Sequence, residues 1–185
     1  MARYRRSYRP RRRSANYTWQ AEWNNTRISL EGAADAVISG VHFHTQPGLG
    51  PGGAAQVPEP FTDSHVLERI RGAMTHNADT SLSPSGNAWF PFTVAAVKVP
   101  KGMSATAIDL FNNADGEDFL YCHNVVCRAD YADSTPNWHE VDSKAKRVFE
   151  VGDQIAWIYS AIKPVSGTVN IDFCVNLRLL WKLKI

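Results

Sequence analysis

Residues 167–185, GTVNIDFCVNLRLLWKLKI, alternate apolar and polar side chains with a period of two. Val169, Ile171, Phe173, Val175 and Leu177 fall on one face, and Asn170, Asp172, Cys174, Asn176 and Arg178 on the other. Neighbouring side chains of a strand point to opposite sides, so this pattern specifies a β-strand with one buried and one wet face. A helix would scatter the same apolar residues around its axis.

The pattern recurs upstream. TRISLE (26–31) and HVLERIRGAM (65–74) alternate. AVISGVHFHT (36–45), WFPFTVAAVKVP (89–100) and DFLYCHNVVCRADY (118–131) are rich in β-branched and aromatic residues. KRVFEV (146–151) leads through the turn GDQ (152–154) into IAWIYSAI (155–162). Strict alternation in 65–74 places Val66, Glu68 and Ile70 on one face and Leu67, Arg69 and Arg71 on the other. These stretches make eight expected strands, punctuated by Gly, Pro, Asn and Asp turns. One helix is expected within GMSATAIDLFNNADG (102–116), capped by Ser104 and ended by Gly116. Segments 45–60 and 76–88 read as long loops, which in compact domains usually serve function or partners. The expected fold is all-β: an eight-stranded antiparallel jelly roll, a sandwich of two sheets, spanning residues 17–185. About 170 residues are enough for one domain with a sizeable core.

Residues 1–16 differ in kind. MARYRRSYRPRRRS holds seven arginines and no acid. The whole chain has 20 Lys+Arg and 18 Asp+Glu; removing those seven leaves 13 bases against 18 acids, so the arm is +7 and the body −5. A segment with no aliphatic run and strong self-repulsion cannot fold alone and is expected to be an extended or disordered arm. Guanidinium forks match phosphate oxygens and stay charged at all relevant pH. Arg3, Arg5, Arg6, Arg9, Arg11, Arg12 and Arg13 are therefore candidate phosphate ligands, and Tyr4 and Tyr8 candidate stacking platforms for unpaired bases. A nuclear import signal or a solubilising tail would use the same residues. A transit peptide would need an amphipathic helix, against which Pro10 and the missing apolar face argue.

Catalytic chemistry finds little support. His42 and His44 stand at i and i+2, where two imidazoles on one strand face could share a metal, as in cupins, but no acid follows before Glu59. Cys122 and Cys127 are five apart and fall on opposite faces; with Cys174 they read as reduced thiols. Asp115, Glu117 and Asp118 read as a solvated turn. No GxGxxG, Walker, GxSxG or HExxH pattern occurs, and the aromatics of WFPF (89–92) and NWH (137–139) read as core or contact material. The expectation is a non-enzyme with no cofactor, no metal and no membrane span.

The arm RYRRSYRPRRR, the stretch LERIRG (67–72) and the stretch FEVGDQIAWIYSA (149–161) resemble the capsid proteins of small circular Rep-encoding single-stranded DNA viruses, the circovirus-like group. The last stretch resembles the hairpin that precedes their final strands. The resemblance implies a jelly roll that self-assembles into an icosahedral shell of about sixty copies. It implies arms projecting inward onto the genome, and a protein found in the virion and, during assembly, in the host nucleus through the import machinery. It gives Arg69 and Arg71 a place on the inner surface or opposite acids at a subunit contact. The arm is shorter and less basic than in circovirus capsids, so other cations would share in neutralising the genome. Satellite-virus coat proteins, which package RNA, are similar in size, and a non-viral single-stranded nucleic-acid-binding β-domain is the other alternative. Single-stranded DNA is the expected nucleic acid.

Overall fold

The computed structural model describes residues 17–49, 61–80, 88–105, 110–111, 119–130, 137–164 and 169–184. Among these, nine strands form: β1 (Tyr17–Leu30), β2 (Val37–Thr45), β3 (His65–Thr80), β4 (Ala88–Val99), β5 (Phe119–Asp130), β6 (Asn137–Ser143), β7 (Arg147–Phe149), β8 (Gln154–Ile162) and β9 (Val169–Leu183). All eight expected strands are present, several of them longer than read. β1 begins at Tyr17 rather than Thr26, and β3 runs on through residues 76–80, where a loop was expected. β6 is the addition. Its sequence NWHEVDS has only two large apolar residues, too few to announce a strand. The helix expected over 102–116 does not appear in its described part, where residues 102–105, 110 and 111 are turn or irregular.

The strands form two antiparallel sheets. One has the order β1-β9-β3, with β6 and β7 following each other along the far edge of β3; the other has the order β5-β4-β8-β2. A short parallel contact between β3 and β5, Ala78 opposite Ala129 and Asp79 opposite Asp130, joins them. The turn between β7 and β8 is not a hairpin. β7 pairs with β3 and β8 with β4 and β2, so the turn carries the chain from one sheet to the other. Asp153 fastens it by accepting from the amides of Glu150 (2.9 Å) and Lys101 (3.1 Å) and pairing with Lys98 (2.9 Å).

The core lies between the sheets. β9 supplies Val169, Ile171, Phe173, Val175, Leu177, Leu179 and Trp181, all buried, as its alternation requires. Phe90, Phe92 and Trp157 face them from β4 and β8. Part of the second sheet is buried on its outer side too, where Leu110 packs with Ala95, Val99, Ala156 and Ile158, and the Leu110 amide donates to Ser160 Oγ (2.9 Å). That double burial explains the unbroken apolar run of IAWIYSAI.

Three register shifts interrupt the pairing of the described strands. One lies between Ala96 and Val97, where β4 pairs with β5. The other two, β-bulges on β3 and β2, reset the alternation. In β3, Leu67 pairs with Trp181 and Arg69 with Leu180, leaving Glu68 unpaired on β9. Leu67 and Ile70 are consequently both buried, which corrects the face assignment made from strict alternation. Downstream, Gly72 (φ +147°) lies so close to β9 that a Cβ would meet the Asn176 carbonyl oxygen and approach Leu177 Cα to 2.8 Å. Gly72→Ala is expected to cost on the order of 3 kcal/mol through backbone strain and overpacking. The melting midpoint should fall by about 6–12 °C, measured by calorimetry; an unchanged midpoint would refute the close approach.

Candidate nucleic-acid interface

β1 is continuous and carries no bulge, so Ile28 and Leu30, which face the core, fix its parity along its whole length. Gln20 and Glu22 therefore point inward and are buried, while Trp19 and Trp23 point out and are 48% and 59% exposed. The buried amide is satisfied. Gln20 donates to Glu22 Oε1 (2.6 Å) and the Gln46 carbonyl (2.9 Å), and accepts from the Gly48 amide and Trp181 Nε1 (both 2.9 Å). This network explains why polar residues, rather than the tryptophans, occupy the inner face.

The outer face of the first sheet is a groove of about 760 Å³. Its floor is small: Ala73, Thr75, Cys174 and Asn176, on β3 and β9. Its walls stand on the two edge strands, Trp19 and Trp23 on β1 and Trp138, 70% exposed, on β6. In register, Trp23 lies opposite Asn176, Asn176 opposite Ala73, and Thr75 opposite Trp138. Four strands at a spacing of ~4.8 Å put the walls about 14 Å apart. Arg71 and Arg178 meet across the β3–β9 pair and line the same groove.

Arg69 and Arg71 share this outer face, and their acidic partner is in the same chain. Asp142 of β6 takes a two-point bond from Arg69, Nε to Oδ1 at 2.6 Å and Nη2 to Oδ2 at 2.5 Å, with Arg71 Nη2 at 3.5 Å. These bonds hold the Asp142 carboxyl below its usual range. Arg178, in contrast, is exposed and has no ion pair among the described residues. The arm residues Arg3, Tyr4, Arg5, Arg6, Tyr8, Arg9, Arg11, Arg12 and Arg13 lie outside the described residues, as do Asp115, Glu117 and Asp118. β1 starts directly after the arm, at Tyr17, on the tryptophan-bearing face.

The histidine pair on β2 is parted by the second bulge. Val41 pairs with Ile158 and Phe43 with Trp157, so His42 is the extra residue. It turns inward against Phe173, at 5.0 Å between ring centroids, while His44 is exposed. Their spacing thus does not bring the imidazoles to one side. Cys122 is exposed and Cys127 buried, as their offset requires.

A different histidine cluster bridges the sheets. His76 of β3 stacks on His139 of β6 (4.8 Å between centroids; Nε2 of His139 to Nδ1 of His76, 3.2 Å), and His139 lies 4.7 Å from His123 of β5. Sequence reading missed it because the three residues are brought together only by strand pairing. No protein-family model matches this chain, and no curated protein matches it.

Burial, reinforced by the neighbouring imidazoles, lowers the His76 pKa to about 4. Burial lowers His42 to about 4 as well, and His123 and His139 in the same direction. An unfolded chain takes up these protons near 6.5, so stability is full above that pH and drains as pH falls toward 4. Glu22 opposes this: burial pushes its carboxyl from 4.5 up to about 7, favouring the fold at the acid end. With four histidines against one carboxyl, the melting midpoint is expected to fall between pH 7 and pH 5. His76→Phe, which keeps the ring but not the titration, should flatten that slope in calorimetric scans. An equal slope in the variant would show that the cluster does not govern it.

Proposed function

We propose that this protein is a virus capsid subunit that packages single-stranded DNA through its arginine-rich arm, with a structural rather than catalytic role. The observation that carries the reading is the pairing of a +7 arm with a −5 β-sandwich body whose strands wrap between two sheets. The connections β1 to β2, β2 to β3, β3 to β4, β5 to β6, β7 to β8 and β8 to β9 each cross between sheets, and β4 to β5 and β6 to β7 stay within one. We read this as a jelly roll with eight strand positions, β6 and β7 sharing one of them along the edge of β3.

Further support comes from the surface. Trp89 and Val126, 63% and 62% exposed, sit on the outer face of β4 and β5 beside Pro91, an apolar patch suited to contact between copies. Closed symmetric shells repeat one such contact many times. Arms gathered on the inside would draw a polyanion into the particle, and the acidic body would keep the exterior from binding it. The same arm would serve nuclear import before assembly, so the protein would occupy the host nucleus and then the virion.

Light scattering of the full-length protein, with absorbance at 260 and 280 nm, tests this. The expected species is monodisperse, on the order of 1.2 MDa for about sixty copies of a 20.6 kDa chain, and contains nucleic acid. Deleting residues 1–14 should remove most of the nucleic acid and leave the far-ultraviolet β signal intact. A monomer or dimer at all salt and protein concentrations would refute the capsid reading. Equal nucleic-acid uptake without residues 1–14 would refute the role of the arm.

A further inference from the structure

We propose that the tryptophan-walled groove on the first sheet is a second nucleic-acid site, which takes a single strand by stacking its unpaired bases on Trp23 and Trp138. The proposal deepens the nucleic-acid reading above and rests on it. The wide exposure of both indoles is the first observation. A sandwich with a filled core has no packing reason to hold three tryptophans on one outer face, two at one edge and one at the other. On the equivalent face of the second sheet Leu110 covers Ala95, Val99, Ala156 and Ile158, while Trp89 and Val126 stay exposed.

The second observation is charge. Arg178 sits directly opposite Arg71, a like-charge cross-strand pair that destabilises the sheet unless an anion lies over it. Asp142 is already engaged by Arg69 and Arg71, which leaves the Arg178 guanidinium for a phosphate. Two positions on, β9 carries Leu180 and then four on Lys182, which pairs with Tyr17 where the arm joins. The basic end of the groove thus lies toward Tyr17, the first described residue of β1. Glu140 on the β6 side offsets part of this charge and disfavours a phosphate there.

The third observation is shape. The small floor of Ala73, Thr75, Cys174 and Asn176 leaves room between walls about 14 Å apart, enough for a splayed single strand and too narrow for a duplex some 20 Å across. Paired bases are also stacked on each other and cannot reach an indole. The chemistry reads single-strandedness and not sequence, since every base has a π-face. The arginine-rich arm is a poor occupant because Arg71 and Arg178 repel it.

The test uses the full-length protein and the double variant Trp23→Ala/Trp138→Ala. Affinities for a fluorescein-labelled dT20 strand, a U20 strand and a 20-base-pair duplex are measured by anisotropy, at about 0.5 M salt where phosphate contacts of the arm are weakened. The expected result is a loss of about tenfold or more in affinity for both single strands, with duplex affinity unchanged. Restoring rings with Trp23→Phe/Trp138→Phe should recover part of the loss, which a merely structural effect would not predict. Equal single-strand affinity in the alanine variant, with the wild type binding normally, would overturn the groove and leave the arm reading standing. A wild type that binds no nucleic acid at any salt would overturn both. Loss of self-association at unchanged single-strand affinity would assign the tryptophans to a contact between copies and overturn the proposal.

Discussion

β9 lies between β1 and β3 along nearly its whole length, and its period-two alternation is felt on both sides at once. Its inward residues, from Val169 to Trp181, are buried in the core. Its outward residues, Cys174, Asn176 and Arg178, line the groove. A slip of one residue would drive Asp172 and Arg178 into the core and expose Phe173 and Leu177, so the register is strongly fixed. The neighbours are shaped to it. β3 admits a bulge at Glu68 and a glycine at position 72, where only a hydrogen fits against the β9 backbone.

The two sheets differ most in what covers their outer faces. The second has Leu110 over Ala95 and Val99 of β4 and Ala156 and Ile158 of β8, so β8 is buried on both sides there. The first carries its exposed indoles and arginines on the outside. An uncovered face with large aromatic side chains is a surface awaiting a partner. Our reading gives it a nucleic-acid strand, continuous with the arm that enters β1 at Tyr17.

Polar groups inside the sandwich hold its edges together and also make it sensitive to acid. Gln20 ties β1 to Trp181 and to the loop after β2. His76 stacks on His139, and His123 lies tilted against His139, across the boundary between the sheets, where burial favours their neutral forms. Protonation would place like charges 4–5 Å apart at that boundary, and so loosen the sheets where β3 and β5 meet.

Much of this protein was legible in its sequence. Period-two alternation together with short β-branched, aromatic or apolar runs identified eight of the nine strands, and in β9 alternation also gave the correct buried face. Segregated charge sets residues 1–16 apart in composition, and their reading as an arm lies outside the described residues. What escaped was parity wherever a neighbour sets it. Trp19 and Trp23 point outward because Ile28 and Leu30, further along the same strand, are committed to the core. His42 and His44 part company, and Leu67 joins Ile70 inside, because bulges adjust β2 and β3 to their partners. β6 was invisible since half of its side chains face the groove and the others include His139 rather than an apolar residue. Alternation along a strand is a local property, written in consecutive residues. Which of its two faces is buried, and where a bulge exchanges them, depends on pairing with strands far away in the chain, as Tyr17 pairs with Lys182. Only the tertiary structure decides that, because the hydrogen-bond register and the packing of the core must be satisfied together.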